Sequence, residues 1–476
     1  MNPAPFDATR GRQLLLDDHL IADSTLTRVW VAPTPHPANP ILRPETERDL
    51  NGGRCPVAAP FDDGIHRDPE TGQWRVWYMS GWFDGTVTRT SPDGIDWHSA
   101  PPQELTGLTE TRNGHLLQRD GVSIVHDPRA EDGARFRMLR WVRERTDAFV
   151  PDELPRHGTP VVTEGGELLH SADGIHWTYD RPAGPCGDNT TFFHDPFRDQ
   201  WVFSLRTHLG PYGRGRGWHA GRTFAEASAW TDNGDVVPWV GSLGFDSGTT
   251  VGDLPAPEIY KVTCIPYESA MLGVFAVYRG PSNDYAEAHG TPKVIDLYLG
   301  ISRDGYHYTV APEPLLASTR TEGAWDAAYL HMVNGGILPV GDETRLYYTG
   351  FSGQSPLLGT HMYAGASMGV ATLRRDGFCA LTPGPDGQGS MTTRPLTVSG
   401  DCLYLNVDTG HGWLRVIVTD PDSGQHQRFS LAPGTDGTRI ALRLAADDGA
   451  RSPRAVELQF SLSNDARLYS FWISDH

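Results

Sequence analysis

The chain has 476 residues, with 59 Asp+Glu against 40 Lys+Arg and a formal net charge of −19. That length exceeds one compact core, and the acidic balance excludes a basic surface for nucleic acid or an anionic membrane. Hydrophobic residues at 38%, aromatics at 10%, 53 Gly and 37 Pro predict an ordered, turn-rich chain with few long helices.

Met1 to Arg12 lacks a charged stretch followed by an apolar one, and no apolar run reaches the ~18 residues of a membrane span. No secretory signal is expected. Cys55, Cys186, Cys264, Cys379 and Cys402 are scattered, odd in number and never in a C-x-x-C pair. They predict reduced thiols and a cytoplasmic location, not a disulfide frame or a zinc site. Pro33, Pro35, Pro37 and Pro40 crowd the leading segment, so residues 1–48 are expected to wrap the next domain in extended form.

A repeat organises residues 49–384. Ser91-Pro-Asp-Gly-Ile-Asp-Trp97, Ser171-Ala-Asp-Gly-Ile-His-Trp177 and Ser302-Arg-Asp-Gly-Tyr-His-Tyr308 share one frame, S-x-D-G-x-x-aromatic. Trp230-Thr-Asp-Asn-Gly234 and Arg374-Arg-Asp-Gly-Phe378 echo it. Asp-Gly between apolar runs predicts a tight turn, because Gly takes the positive φ at no steric cost, and the aromatic is expected to plug the gap between neighbouring sheets. Each turn is preceded by a short aromatic-rich run: Gln73–Met79, Arg135–Trp141, Gln200–Leu205, Leu272–Tyr278 and Thr344–Thr349. These runs are too short for helices and rich in strand formers. Five units of about 70 residues, each with four short strands, predict a five-bladed β-propeller.

The tail reads differently. Past the Gly/Pro-rich Pro383–Ser390 come alternating strands at Cys402–Val407, Trp413–Val418, Arg439–Leu444, Ala455–Phe460 and Leu468–Ile473. Residues 385–476 are predicted to form a C-terminal antiparallel β-sandwich, which makes the whole chain all-β.

Three units carry an acid eight residues before their turn proline: Asp120 before Pro128, Asp188 before Pro196 and Glu258 before Pro266. His331 holds that offset before Pro339, and Asp49 is the nearest upstream acid in the first unit. Inner strands of a propeller run beside its axis, so residues that begin them converge on one opening. Carboxylates gathered there repel one another unless chemistry or a cation uses them, and their interaction separates acid from base. Glycoside hydrolysis needs such a pair. Asp127 and Asp195, in His-Asp-Pro turns, are expected to cap those turns, with Glu268 away from the mouth.

With these features the chain resembles the five-bladed propeller glycoside hydrolases, the invertase/levanase and arabinanase/xylosidase families. Arg119-Asp120-Gly121 is similar to the family's Arg-Asp-Pro, and Glu258 matches the place of its general acid. Asn51-Gly-Gly-Arg54 stands where the invertase signature would be, so the resemblance implies a divergent member whose triad is Asp120, Asp188 and Glu258, or Asp49, Asp120 and Asp188. It implies a small or terminal, furanosidic sugar substrate.

Arg54, Arg119, His331, Trp82 and Trp325 are the expected substrate-binding residues. Gly213-Arg-Gly-Arg-Gly217 is too arginine-rich and too close to Pro211 to open a phosphate-binding helix and is expected to be a mobile loop over the channel mouth, and no H-E-x-x-H set suggests zinc. No cofactor is required by this chemistry, and the acidic channel has room for a structural calcium. No nucleic-acid or membrane partner is expected, and oligomer formation is left open. The competing readings are a propeller phosphorylase with an arginine phosphate clamp and a non-catalytic binding platform.

Overall fold

The computed structural model describes residues 5–130, 133–146, 161–210, 213–231, 234–242, 250–444 and 453–475. Aromatic and β-branched residues make Trp74–Ser80 the second strand of a four-stranded blade with Val57–Arg67, Gly85–Ser91 and Gln103–Glu104. It is buried on both faces because blades stack on either side of it.

The second blade runs His115–His126, Phe136–Arg145, Val161–Ser171 and Thr178–Pro182. The third runs Thr191–Asp195, Gln200–His208, Arg214–Gly221 and Val237–Val240, and the fourth Glu258–Tyr267, Ala270–Gly280, Val294–Ser302 and Thr309–Val310. The fifth takes three strands from its own unit, Leu330–Val340, Glu343–Phe351 and Ala366–Arg374. Its outermost strand comes from the leading segment: Thr34 and Pro35 pair with Thr372 and Ala371. Ala366 and Ser367 also run parallel to Val57 and Ala58, which ties the fifth blade to the first. The propeller therefore closes through its N-terminal arm.

The repeated turns explain how blades are spaced. Ser91 Oγ accepts from Gly94 N–H at 2.9 Å, and Asp93 Oδ1 accepts from Ile95 and Asp96 N–H at 2.8 and 2.9 Å. Asp173 repeats this at Ile175 and His176, and Asp304 at Tyr306 and His307. Gly94, Gly174 and Gly305 have φ of 77°, 77° and 75°, the conformation glycine adopts without strain. Each turn leans on the preceding blade: Trp77 Nε1 donates to Gly174 O at 2.7 Å, and Arg345 donates to Asp93 O at 2.5 Å.

The aromatic that ends each frame lies in one inter-blade core. Trp97 sits between the fifth and first blades with Tyr347 and Trp74, and Trp177 between the first and second with Trp77 and Val122. Trp230 joins the second and third, Tyr308 the third and fourth, and Phe378 the fourth and fifth. Asp232 and Asn233 of the Trp230 echo lie outside the described residues.

Two further sheets pack face to face around Leu403, Leu405, Leu458, Phe460 and Phe471. Along Arg454–Ser463 the residues Val456, Leu458, Phe460 and Leu462 point inward, the period of two that a half-buried strand requires. The leading segment enters both sheets. Phe6–Asp7 pairs with Leu396–Val398, and Gln13–Leu14 with Arg467–Ser474. Ile21–Ser24 pairs with Gln388–Thr393, and Thr27–Trp30 with Cys379–Thr382. A segment expected to lie along the propeller thus stitches it to the sandwich.

Candidate active site

Four of the five inner strands break register where they meet the channel, between Ala59 and Gly64, Arg119 and Val122, Ile259 and Lys261, and Met332 and Ile337. Bulges there re-aim side chains toward the axis. Second strands run back antiparallel, so their last residues, Arg143, Arg145 and Arg206, reach the same mouth, as do Arg214 and Lys293 where third strands begin.

Asp120, Asp188 and Glu258 line one cavity of about 940 Å³ there. Phe61, Trp82, Tyr260, Tyr278, Tyr363, Glu164, Glu287 and the cations Arg143, Arg145, Arg206, Arg214 and Lys293 share it. Asp120 is ion-paired with Arg143, and Asp188 with Arg206. Arg214 Nη2 lies 3.9 Å from Asp188 Oδ1. Glu258 Oε1 accepts from Arg214 N–H at 3.1 Å. Gly213, with φ of 69°, makes that approach, because a Cβ there would stand 2.3 Å from Glu258 Oε1.

The two aspartates titrate apart. Burial pushes Asp120 up to about 6, opposed by Arg143 and reinforced by the negative charge of Asp188. Burial acts on Asp188 in the same direction, but Arg214, Arg206 and Arg143 outweigh it and hold its carboxyl below the ordinary range. Burial, with Arg214 next, drives Lys293 down to about 7.

Cations do use these acids: Asp120 and Asp188 each have a guanidinium of their own blade, which offsets part of the cost of bringing them together, while the charge of Asp188 still raises Asp120. Among the described residues no three His, Cys, Asp or Glu side chains converge as a metal site.

Of the other expected residues, Trp82 lines the cavity, stacked on Tyr363 at 4.7 Å. Asp49 does not. Its carboxylate closes a capping box on the short helix Glu47–Leu50 and accepts from Ser80 Oγ at 2.6 Å. Arg54 follows the helical turn Asn51–Gly53, also outside the lining. Arg119 is buried against Asp63 at 2.9 Å and Thr86 at 2.9 Å. His331 is fully buried under Phe61, ring centroids 4.6 Å apart, and burial holds it neutral with a pKa of about 4. Trp325 packs on Tyr348 within the fifth blade. The expected loop at Gly213–Gly217 is a strand, Arg214–Gly221, with Arg216 fully buried; Pro211 lies outside the described residues.

Asp127 and Asp195 cap their turns, accepting from Arg129 N–H at 3.1 Å and Phe197 N–H at 3.0 Å. Glu268 stands in the opposite turn, with Arg375 at 2.6 Å. Sequence reasoning missed Phe61, although it stands eight residues before Pro69 and so occupies the first unit's place in the ring. It also missed Asp62 and Lys261, a fully buried pair at 2.7 Å in the inner strands.

No protein-family model matches the chain, and no curated protein matches it. Among solved structures it is similar to an arabinoxylan arabinofuranohydrolase of glycoside hydrolase family 43 from Bacillus subtilis, at 11% identity and a TM-score of 0.41, covering 94% of this chain and 99% of that one. A fructofuranosidase from Schwanniomyces occidentalis aligns at 10% identity and a TM-score of 0.38, covering 90% and 98%. An exo-inulinase from Aspergillus awamori aligns at 12% identity and a TM-score of 0.38, covering 89% and 98%.

Proposed function

We propose that the chain is a glycoside hydrolase that cleaves a small or terminal O-glycosidic linkage in this cavity. The observation that carries the reading is the pair Asp120 and Asp188, two carboxyls in one pocket with proton affinities displaced in opposite directions. Such a split keeps one carboxylate ionised for the anomeric centre beside a neighbour that holds its proton, and glycosidic cleavage then needs a further carboxyl as acid. Asp188 is the ionised partner and faces the anomeric carbon or the water that attacks it. Asp120, deeper and retaining its proton to about pH 6, tunes that charge. Glu258, half-buried and accepting from the Arg214 backbone N–H, delivers the proton to the leaving oxygen.

The test is turnover of aryl furanosides and pyranosides by the wild type and by Glu258→Gln and Asp188→Asn. Loss of the acid should slow cleavage of poor leaving groups by about 10²–10⁴-fold and spare good ones, which need no proton. Asp188→Asn should slow both alike. If no glycoside is cleaved, or if both variants retain wild-type rates, the reading is wrong.

A further inference from the structure

Among the described residues, most cations in and beneath this cavity have a carboxylate or carbonyl partner. Arg143 meets Asp120, Arg206 meets Asp188, and Lys261 meets Asp62. Arg216 donates to the carbonyls of Asn189 and Ser204. Two cations in the cavity depart from that pattern, and they face the same ring.

Lys293 is 4% exposed. Among the described residues its ammonium meets only Tyr363 Oη, at 3.4 Å, and stands over the rings of Tyr363 at 4.6 Å and Tyr260 at 5.8 Å. Arg214 lies on that Tyr260 ring at 3.8 Å. Its Nε and Nη2 are buried and donate to nothing among the described residues. The 3.9 Å to Asp188 is an ion-pair distance, too long for a hydrogen bond. Two cations held against one aromatic ring in the same cavity repel each other, and leaving their donors unmatched in a desolvated pocket is costly. An oxyanion that accepts from both removes both penalties, since the guanidinium fork of Arg214, the ammonium of Lys293 and the phenol of Tyr363 are all donors.

We propose that Arg214 and Lys293, with Tyr363, form an oxyanion subsite in this cavity, which takes the carboxylate of an acidic sugar or free inorganic phosphate. The two sources share one chemistry. The inference rests on the glycosidase reading for the sugar that accompanies the anion, but not for the anion itself.

Binding separates the two claims. The full chain is titrated calorimetrically at low salt with inorganic phosphate, with glucuronate and with neutral glucose, alongside Lys293→Met and Arg214→Gln. The subsite predicts that phosphate or glucuronate binds more tightly than glucose, and that each substitution weakens the anion by about tenfold or more, as for a lost charge-assisted hydrogen bond. Lys293→Met replaces a buried charge by an apolar side chain of similar length, so it tests the site if Arg214→Gln fails to fold. Preference for phosphate with phosphate-dependent turnover identifies free phosphate as the source; preference for glucuronate with phosphate-independent cleavage of a glucuronide identifies the sugar. Anion affinity no better than that of glucose, or unchanged in both variants, overturns the subsite. Cleavage of neutral glycosides in that case would leave the hydrolase reading standing.

Discussion

Asp120 and Asp188 share one cavity but not one neighbourhood: among the described residues Arg143 alone pairs with Asp120, whereas Arg206 and Arg214 both stand within ion-pair distance of Asp188. The second guanidinium decides which carboxyl keeps its proton. In the folded chain Asp120 titrates near 6, above its unfolded value, so its contribution to stability is present in full at low pH and is lost as pH rises through about 6. Denaturation midpoints of the wild type should fall between about pH 4 and 6 relative to those of Asp120→Asn, and the two curves should run parallel above that range.

Asp49 offers the opposite case, an acid spent on structure. Asp49→Ala removes acceptors from Thr46 N–H, Glu45 N–H and Ser80 Oγ. The expected cost is about 1–3 kcal/mol of stability with kcat/KM unchanged. Chemical denaturation and steady-state kinetics on the same preparation check both halves, and a collapse of kcat at intact stability would return Asp49 to the catalytic set.

Asp62 and Lys261 are completely enclosed, so removing one partner strands the other. Lys261→Met should destabilise by about 3–5 kcal/mol, and Asp62→Asn combined with it should recover a large part of that loss. A double-mutant cycle in urea measures the coupling. Additive losses would mean that the two charges are stabilised independently by other groups.

Two buried tryptophans at the same inter-blade seam should respond differently to Phe. Trp77 Nε1 donates to Gly174 O at 2.7 Å, whereas Trp177 Nε1 is buried without a partner among the described residues. Trp77→Phe should cost about 1–2 kcal/mol more than Trp177→Phe, because only the first leaves a buried carbonyl unpaired. Thermal unfolding of the two variants at one pH gives the comparison.

The propeller was legible because its punctuation is local. Ser91, Asp93 and Gly94 satisfy their own turn within four residues, so the signature survives in sequence wherever the turn recurs, and Trp97 follows at a fixed distance. The acids were legible for a related reason: a constant spacing from the turn proline carries Asp120, Asp188 and Glu258 to the same mouth, although only Glu258 begins its strand. His331 has that offset too, but the bulge between Met332 and Ile337 and the cover of Phe61 sink it below the cavity floor. The cations were not legible. Arg143, Arg206, Arg214 and Lys293 come from second and third strands and meet only when the blades assemble, which leaves no spacing to read. Strands such as Phe6–Asp7 and Thr34–Pro35 are two residues long, too short for any periodicity, and exist only because a partner strand from the far end of the chain is waiting for them.

That last pairing governs the order of assembly. Thr34 and Pro35 need Ala371 and Thr372, and the strands at residues 6–30 need partners between residues 379 and 474. During synthesis the leading arm therefore has no place to dock until nearly the whole chain has emerged, and the ring stays unsealed at the fifth blade meanwhile. Contacts of such long sequence separation make for slow folding and leave strand edges open to other molecules. The arm acts as a latch thrown last, and a nascent chain cut short anywhere before the fifth blade would carry an N-terminus with nothing to fasten to.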